Sequence, residues 1–234
     1  MHEPGPTTLT AVAIVPSAPL LVPELCSGAA AETAQLRQAV RNAAAALPPR
    51  WVAIGVGAAD RVDGPEATGT FAGYGVDLPV RLSAAATGPA AALPLCALIA
   101  GWLRGVVAPQ ATATVHTFSA DLTADAATAA GRALRAELDA GSEPVGALIV
   151  ADGAITLTPS APGGHDPAAV PVQAALDDAL AGGDVAALAE LPEAIVGRVA
   201  YQVLAGLVPV PRAARELYRG APYGVGYFAG RWTP

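Results

Sequence analysis

The chain is 234 residues long, 53% hydrophobic and 14% charged, with a net charge of −7. Such a length and apolar content support one large α/β domain or two small ones without disulfide staples, and they exclude a disordered tail protein. All 13 basic residues are arginine, which removes Schiff-base lysines, lysine general bases and a Walker-type phosphate lysine, and their scatter from Arg37 to Arg231 forms no basic stripe for nucleic acid.

No apolar run approaches the ~20 residues of a membrane span, so a soluble protein with no membrane partner is expected. The opening MHEPGPTT lacks a basic region followed by a small-residue cleavage site, which makes a cytoplasmic location the expectation. Cys26 and Cys96 stand alone without C-x-x-C spacing and are expected to be buried free thiols rather than a metal or redox pair.

Taken in chain order, residues 1–8 read as a loose arm and 9–234 as one domain. LTAVAIV, Leu9 to Val15, is a short apolar run that ends at Pro16 and fits a strand buried on both faces. Gly28 to Leu47 has Leu36, Val40 and Leu47 at helical spacing and stops at Pro48-Pro49. WVAIGVG, Trp51 to Gly57, repeats the pattern of an apolar strand ending in glycine and leads into a polar loop from Ala58 to Gly75. A buried helix around Trp102, a threonine-rich strand through His116, and a helix opened by Thr123 without the usual capping glutamate follow. VGALIVADG, Val145 to Gly153, is the clearest strand of the second half. A proline-rich loop, helical segments up to Leu207 and a terminal strand in APYGVGYFAGRW close the chain.

Strands alternating with helices in this order predict an α/β layer fold, three layers deep as α/β/α, around a central mixed, largely parallel sheet. Ligands of such sheets bind at the carboxyl ends of the strands. Three strand ends are identifiable, at Pro16–Pro19, Gly55–Asp63 and Asp152–His165, and they are expected to converge on one cleft.

The segments VPSAPLLVPELCSG, GAADRVDG, VADGAITLTPSAPGGHDP and YRGAPYGVGYFAGRW resemble the LigB-like domain of class III extradiol ring-cleavage dioxygenases, in particular an alanine-rich branch from high-GC bacteria. The resemblance runs from Ala11 to Trp232. It implies a ferrous ion held by two histidines and a carboxylate, with a further histidine as acid/base. The first metal histidine of the family falls in the turn after the first strand, where this chain has Ser17 between Pro16 and Pro19. The second belongs to the loop after the second strand, which here reads Gly57, Ala58, Ala59, Asp60. The acid/base histidine falls where Ile155 and Thr156 stand. Glu216 is the nearest match for the carboxylate. Three imidazoles are therefore missing from three loops, and hydroxyl or methyl groups do not replace imidazole as donors to that ion.

The remaining polar residues each carry two readings. Ser17 is a nucleophile or, with no histidine at motif distance, a turn serine bonding local backbone. His165 is a surrogate acid or metal ligand, or an exposed loop residue; His116 is a structural histidine in an apolar strand. Asp60, Asp63 and Asp152 are cation ligands at strand ends or turn and cap residues, and an all-oxygen set would favour magnesium, calcium or manganese. Glu24 and Tyr223 are expected at the cleft with Ser17, Ala58, Asp60 and Asp152, while Tyr227 lines a pocket or packs in the core.

The expectation is a degenerate member of this family without ring-cleavage activity and without a cofactor, binding a small molecule or a protein partner. The alternatives are an enzyme whose divalent-metal or acid/base site is rebuilt from His165, Asp60 and Asp152, and a structural subunit that forms a homodimer.

Overall fold

A computed structural model describes residues 8–26 and 32–234. The arm at 1–7 and the first turn of the expected helix at 28–31 lie outside the described residues. Thr8, assigned to the arm, is anchored instead: it is buried, and its hydroxyl donates to the Leu138 carbonyl at 2.6 Å.

Seven strands form one sheet in the order β3-β6-β2-β7-β1-β9-β8. Its centre is parallel and consists of β6 (Thr112–Ser119), β2 (Arg50–Gly57), β7 (Val145–Val150) and β1 (Leu9–Val15). Antiparallel strands close both sides: β3 (Arg61–Asp63) pairs with β6, and β9 (Tyr227–Thr233) joins β1 to the edge strand β8 (Ala213–Gly220). The near-continuous apolar runs of β1, β2 and β7 follow from burial on both faces, because helices cover each side. A small ladder of β4 (Thr68–Thr70) and β5 (Pro79–Arg81) stands apart.

On one face α1 (Ala34–Ala44) and α2 (Leu95–Val107) pack against Ala13, Val15, Trp51, Ala53, Leu148 and Val150. On the other, α3 (Ala124–Asp139), α4 (Ala169–Gly182), α5 (Val185–Ala189) and α6 (Arg198–Leu207) pack against Val12, Ile14, Val52, Ile54, Ala147 and Ile149. Alternate residues of each strand feed opposite cores, as a period of two demands. The fold is thus the three-layer α/β/α sandwich expected from the sequence.

Two close approaches depend on glycine. A Cβ on Gly131 of α3 would lie 2.0 Å from the Val203 carbonyl oxygen, and one on Gly206 of α6 would lie 2.0 Å from that of Thr128, so these helices cross backbone to backbone. A Cβ on Gly55 would fall 2.3 Å from that of Cys96, which seats the start of α2 against β2.

The polar segment 58–75 is not one loop but contains β3, β4 and a 3-10 turn at Phe71–Tyr74. Strand β8 is the other departure: its sequence AARELYRG is too polar to signal a strand, and it is ordered by its neighbour β9. Thr123 does cap α3, accepting the Ala126 N–H at 3.3 Å without help from a glutamate.

Candidate functional site

The connections determine where a crevice opens. β1 and β2 both leave the sheet toward the α1/α2 face, whereas β7, inserted between them, leaves toward the α3–α6 face. Loops that diverge to opposite faces part above the carboxyl ends of neighbouring strands, which is where open α/β sheets bind ligands. A cleft of ≈ 180 Å³ lies there, lined by Ser17 after β1, Val56 of β2, Val150 to Asp152 at the end of β7, and Val196 with Gly197 ahead of α6.

Ser17 and Asp152, 135 residues apart in the chain, meet in this cleft: the Ser17 backbone N–H donates to Asp152 Oδ1 at 2.8 Å. The Ser17 hydroxyl makes no hydrogen bond among the described residues, so the expected bond to local backbone is replaced by this longer-range use of the amide. Burial pushes the Asp152 carboxyl up to about 7, against the opposing effect of the Ser17 hydrogen bond. Among the described residues no arginine lines the cleft. A carboxyl withdrawn from water without a cation favours its neutral form, and Asp152 therefore exchanges a proton near neutrality.

The Asp152 loop is braced from three sides. Gly197 N–H donates to the Asp152 carbonyl at 3.0 Å, and a Cβ on Gly197 would lie 2.4 Å from that oxygen. Gly153 N–H donates to Gly226 and Gly226 N–H to Ala154, each at 2.8 Å, which ties the loop to the start of β9. Behind both glycines sits Gln173 of α4. Its Oε1 accepts the Ala154 N–H at 2.8 Å, its Nε2 donates to Asp177 Oδ1 at 2.9 Å, and a Cβ on Gly153 or Gly226 would fall 2.0 or 2.1 Å from Oε1. Burial pushes Asp177 up to about 6, partly offset by the Gln173 hydrogen bond and by Arg219. Tyr201 of α6 donates its buried hydroxyl to the Ala151 carbonyl at 2.9 Å, and burial followed by the Asp152 charge raises its pKa. Tyr227, buried at the start of β9, is raised for the same two reasons.

Ala58 and Asp60 occupy a neighbouring depression of ≈ 420 Å³ with Arg61, Pro94 and Thr117, not the Ser17–Asp152 cleft. Asp60 Oδ1 accepts the Ser119 N–H at 2.7 Å, and Asp63 Oδ1 accepts from Arg61 Nε at 2.8 Å. Glu24 is exposed in the 3-10 turn Pro23–Leu25. Tyr223 is exposed and donates to Glu32 at 2.6 Å. His165 is exposed in the 154–168 segment and lines neither depression. His116 is half-buried beside Phe118, with ring centroids 6.5 Å apart, and burial lowers its pKa. Glu216 pairs with Arg219 at 2.7 Å on β8. Of the two thiols, Cys96 is buried and burial pushes its pKa up, but Cys26 is only half-buried, contrary to expectation.

Among the described residues no three His, Cys, Asp or Glu side chains gather as a metal cluster, and Asp60, Asp152 and His165 stand apart. Also among them, no helix is long and apolar enough to cross a membrane. Sequence reasoning found Ser17 and Asp152 but missed Gln173, Tyr201 and Gly197. The one available signal was a Gln and an Asp four residues apart in a largely apolar helical segment, which places two polar groups on one helix face.

No protein-family model matches the sequence, and no curated protein matches it. Among solved structures, the crystal structure of an uncharacterised protein from Escherichia coli K12 is similar, with a TM-score of 0.55 at 11% identity, covering 95% of this chain and 99% of that one. At such identity the likeness shows a shared fold, and function has to be read from the site itself.

Proposed function

We propose that this chain is a degenerate relative of the class III extradiol dioxygenases that binds a small molecule in the Ser17–Asp152 cleft and does not cleave rings. The observation that carries the reading is that Ser17, at the turn where the resemblance expects a metal histidine, lends its backbone amide to a half-buried carboxyl. The cleft walls are otherwise valine, alanine and glycine. Among the described residues Asp152 is the only ionisable lining group, so the site selects against anions and favours a small, largely apolar molecule with one hydrogen-bond donor, neutral or cationic. The missing imidazoles at Ser17, Ala58 and Ile155–Thr156 support the loss of iron chemistry.

Titration of the protein with a panel of small amines and alcohols, followed by amide chemical shifts, tests this reading. Saturable shifts centred on Ser17, Asp152 and Gly197, abolished in Asp152→Ala, are expected. Tight, stoichiometric ferrous iron in protein purified without oxygen would overturn it. The proton-exchanging Asp152 also favours a second reading, in which the bound molecule undergoes acid/base chemistry at that carboxyl. Turnover that follows a single ionisation near pH 7 and vanishes in Asp152→Asn would establish it.

A further inference from the structure

The opposite edge of the sheet, under α1, concentrates positive charge in an acidic protein. Arg215 of β8 and Arg231 of β9 stand directly opposite each other in the antiparallel ladder. Along β9, Tyr227 and Ala229 pack in the α1/α2 core while Phe228 and Trp232 pack in the other, so the alternation of the strand directs Arg231, and Arg215 with it, to the α1 side. Like charges in this position repel and weaken the pairing.

The described elements around them do not neutralise them. The one carboxylate of β8, Glu216, serves the other face, where Arg219 binds it and also Asp178 of α4. β1, β9 and α1 contain no acidic residue, and α1 adds Arg37 and Arg41. Arg37 is engaged by the Leu20 carbonyl, whereas Arg41 Nε is buried with no partner among the described residues. Arg50, Arg61, Arg135 and Arg219 each meet a carboxylate, but neither Arg215 nor Arg231 makes an ion pair among the described residues. The two border a hollow of ≈ 360 Å³ that also includes Ala11, Ala213, Thr233 and Ala46. Ala213 and Thr233 are the next pair on the same face of the ladder, and Val12, Ala214 and Trp232 complete the lining.

We propose that this hollow is a binding site for the phosphate group of a small phosphorylated molecule, held by Arg215 and Arg231 with the Thr233 hydroxyl as a further donor. One guanidinium fork satisfies a carboxylate; two forks on one rim match the several oxygens and the double charge of a phosphate. The remaining volume accommodates the body of the molecule. The site lies at the other end of the strands from Asp152 and does not depend on what that cleft binds.

Calorimetric titration with inorganic phosphate and with pyrophosphate, at constant ionic strength, tests the proposal on the whole chain. Saturable one-site binding is expected, weakened about tenfold or more in Arg215→Gln and in Arg231→Gln. Because each substitution also removes a like-charge contact, both variants should melt no lower than the wild type in phosphate-free buffer, and phosphate should raise the melting temperature of the wild type more than that of either variant. Flat titrations up to high millimolar phosphate, variants that bind as tightly as the wild type, or variants that melt markedly lower without phosphate would each overturn it. The last result would make the arginines structural.

Discussion

At the end of β2 Asp60 stands in solvent and accepts a hydrogen bond from Ser119, and Asp63 a little further on is ion-paired with Arg61. One strand away, at the end of β7, Asp152 has one backbone amide and, among the described residues, no cation. The same residue type at the same kind of position thus has two characters. An apolar cleft raises a carboxyl's proton affinity until the neutral form competes. The difference comes from what surrounds each strand end. It marks the β7 end as the place where a bound molecule would meet a group able to give or take a proton at neutral pH.

The largest effect should follow from disturbing the brace. Gly197→Val places carbon against the Asp152 carbonyl, where even a Cβ would lie 2.4 Å away, and should cost about 3 kcal/mol in urea unfolding, at the upper end of overpacking penalties. A cost below about 1 kcal/mol would mean that the Asp152 loop yields easily and is not held by α6. The next effect is a contrast between the two strand ends. Gln173→Leu strands the Ala154 N–H and one partner of Asp177 and should destabilise by about 2 kcal/mol, against about 0.5 kcal/mol for Asp60→Ala, whose hydrogen bond is exposed. Equal losses would erase the distinction drawn between buried and solvated ends.

The smallest effect carries a sign. The folded Asp152 carboxyl sits at about 7 against an ordinary value of 3.8, and Asp177 is raised in the same direction to about 6. Between those limits the native state binds more protons than the unfolded chain, so both groups make stability fall as pH rises from about 4 to about 7. Asp152→Asn keeps an acceptor for Ser17 and removes the charge. The full shift corresponds to about 4 kcal/mol, but Asp152 is only half-buried and solvent screens it, so the variant should gain about 1 kcal/mol over the wild type at pH 8 and nothing at pH 4, read by thermal or urea unfolding at both pH values. A stabilisation that does not change with pH would assign the gain to something other than this proton.

Much of the layer architecture was legible because it is written in short-range pattern. The runs at Leu9–Val15, Trp51–Gly57 and Val145–Val150 are continuously apolar, and helical spacing through Leu36 and Val40 or around Trp102 has one physical reading. β8 was not legible, because Arg215, Glu216 and Arg219 alternate toward two solvated margins and only the ladder with β9 makes them a strand. Of the residues expected at one cleft, Ser17 and Asp152 share a depression, whereas Ala58 and Asp60 open on the far side of β2.

By itself, the sequence determined that this chain builds a layered α/β scaffold, that lysine chemistry is closed to it, and that the loops after Val15 and Gly57 carry no imidazole. Those are properties of composition and of local period, which need no knowledge of what lies across the sheet. Only the tertiary structure decided that Ser17 would meet Asp152, that Gln173 would stand behind two glycines, and that Arg215 would face Arg231. Each of these depends on strand order and register between residues far apart in the chain, and the solvation that gives a side chain its chemistry depends on them in turn.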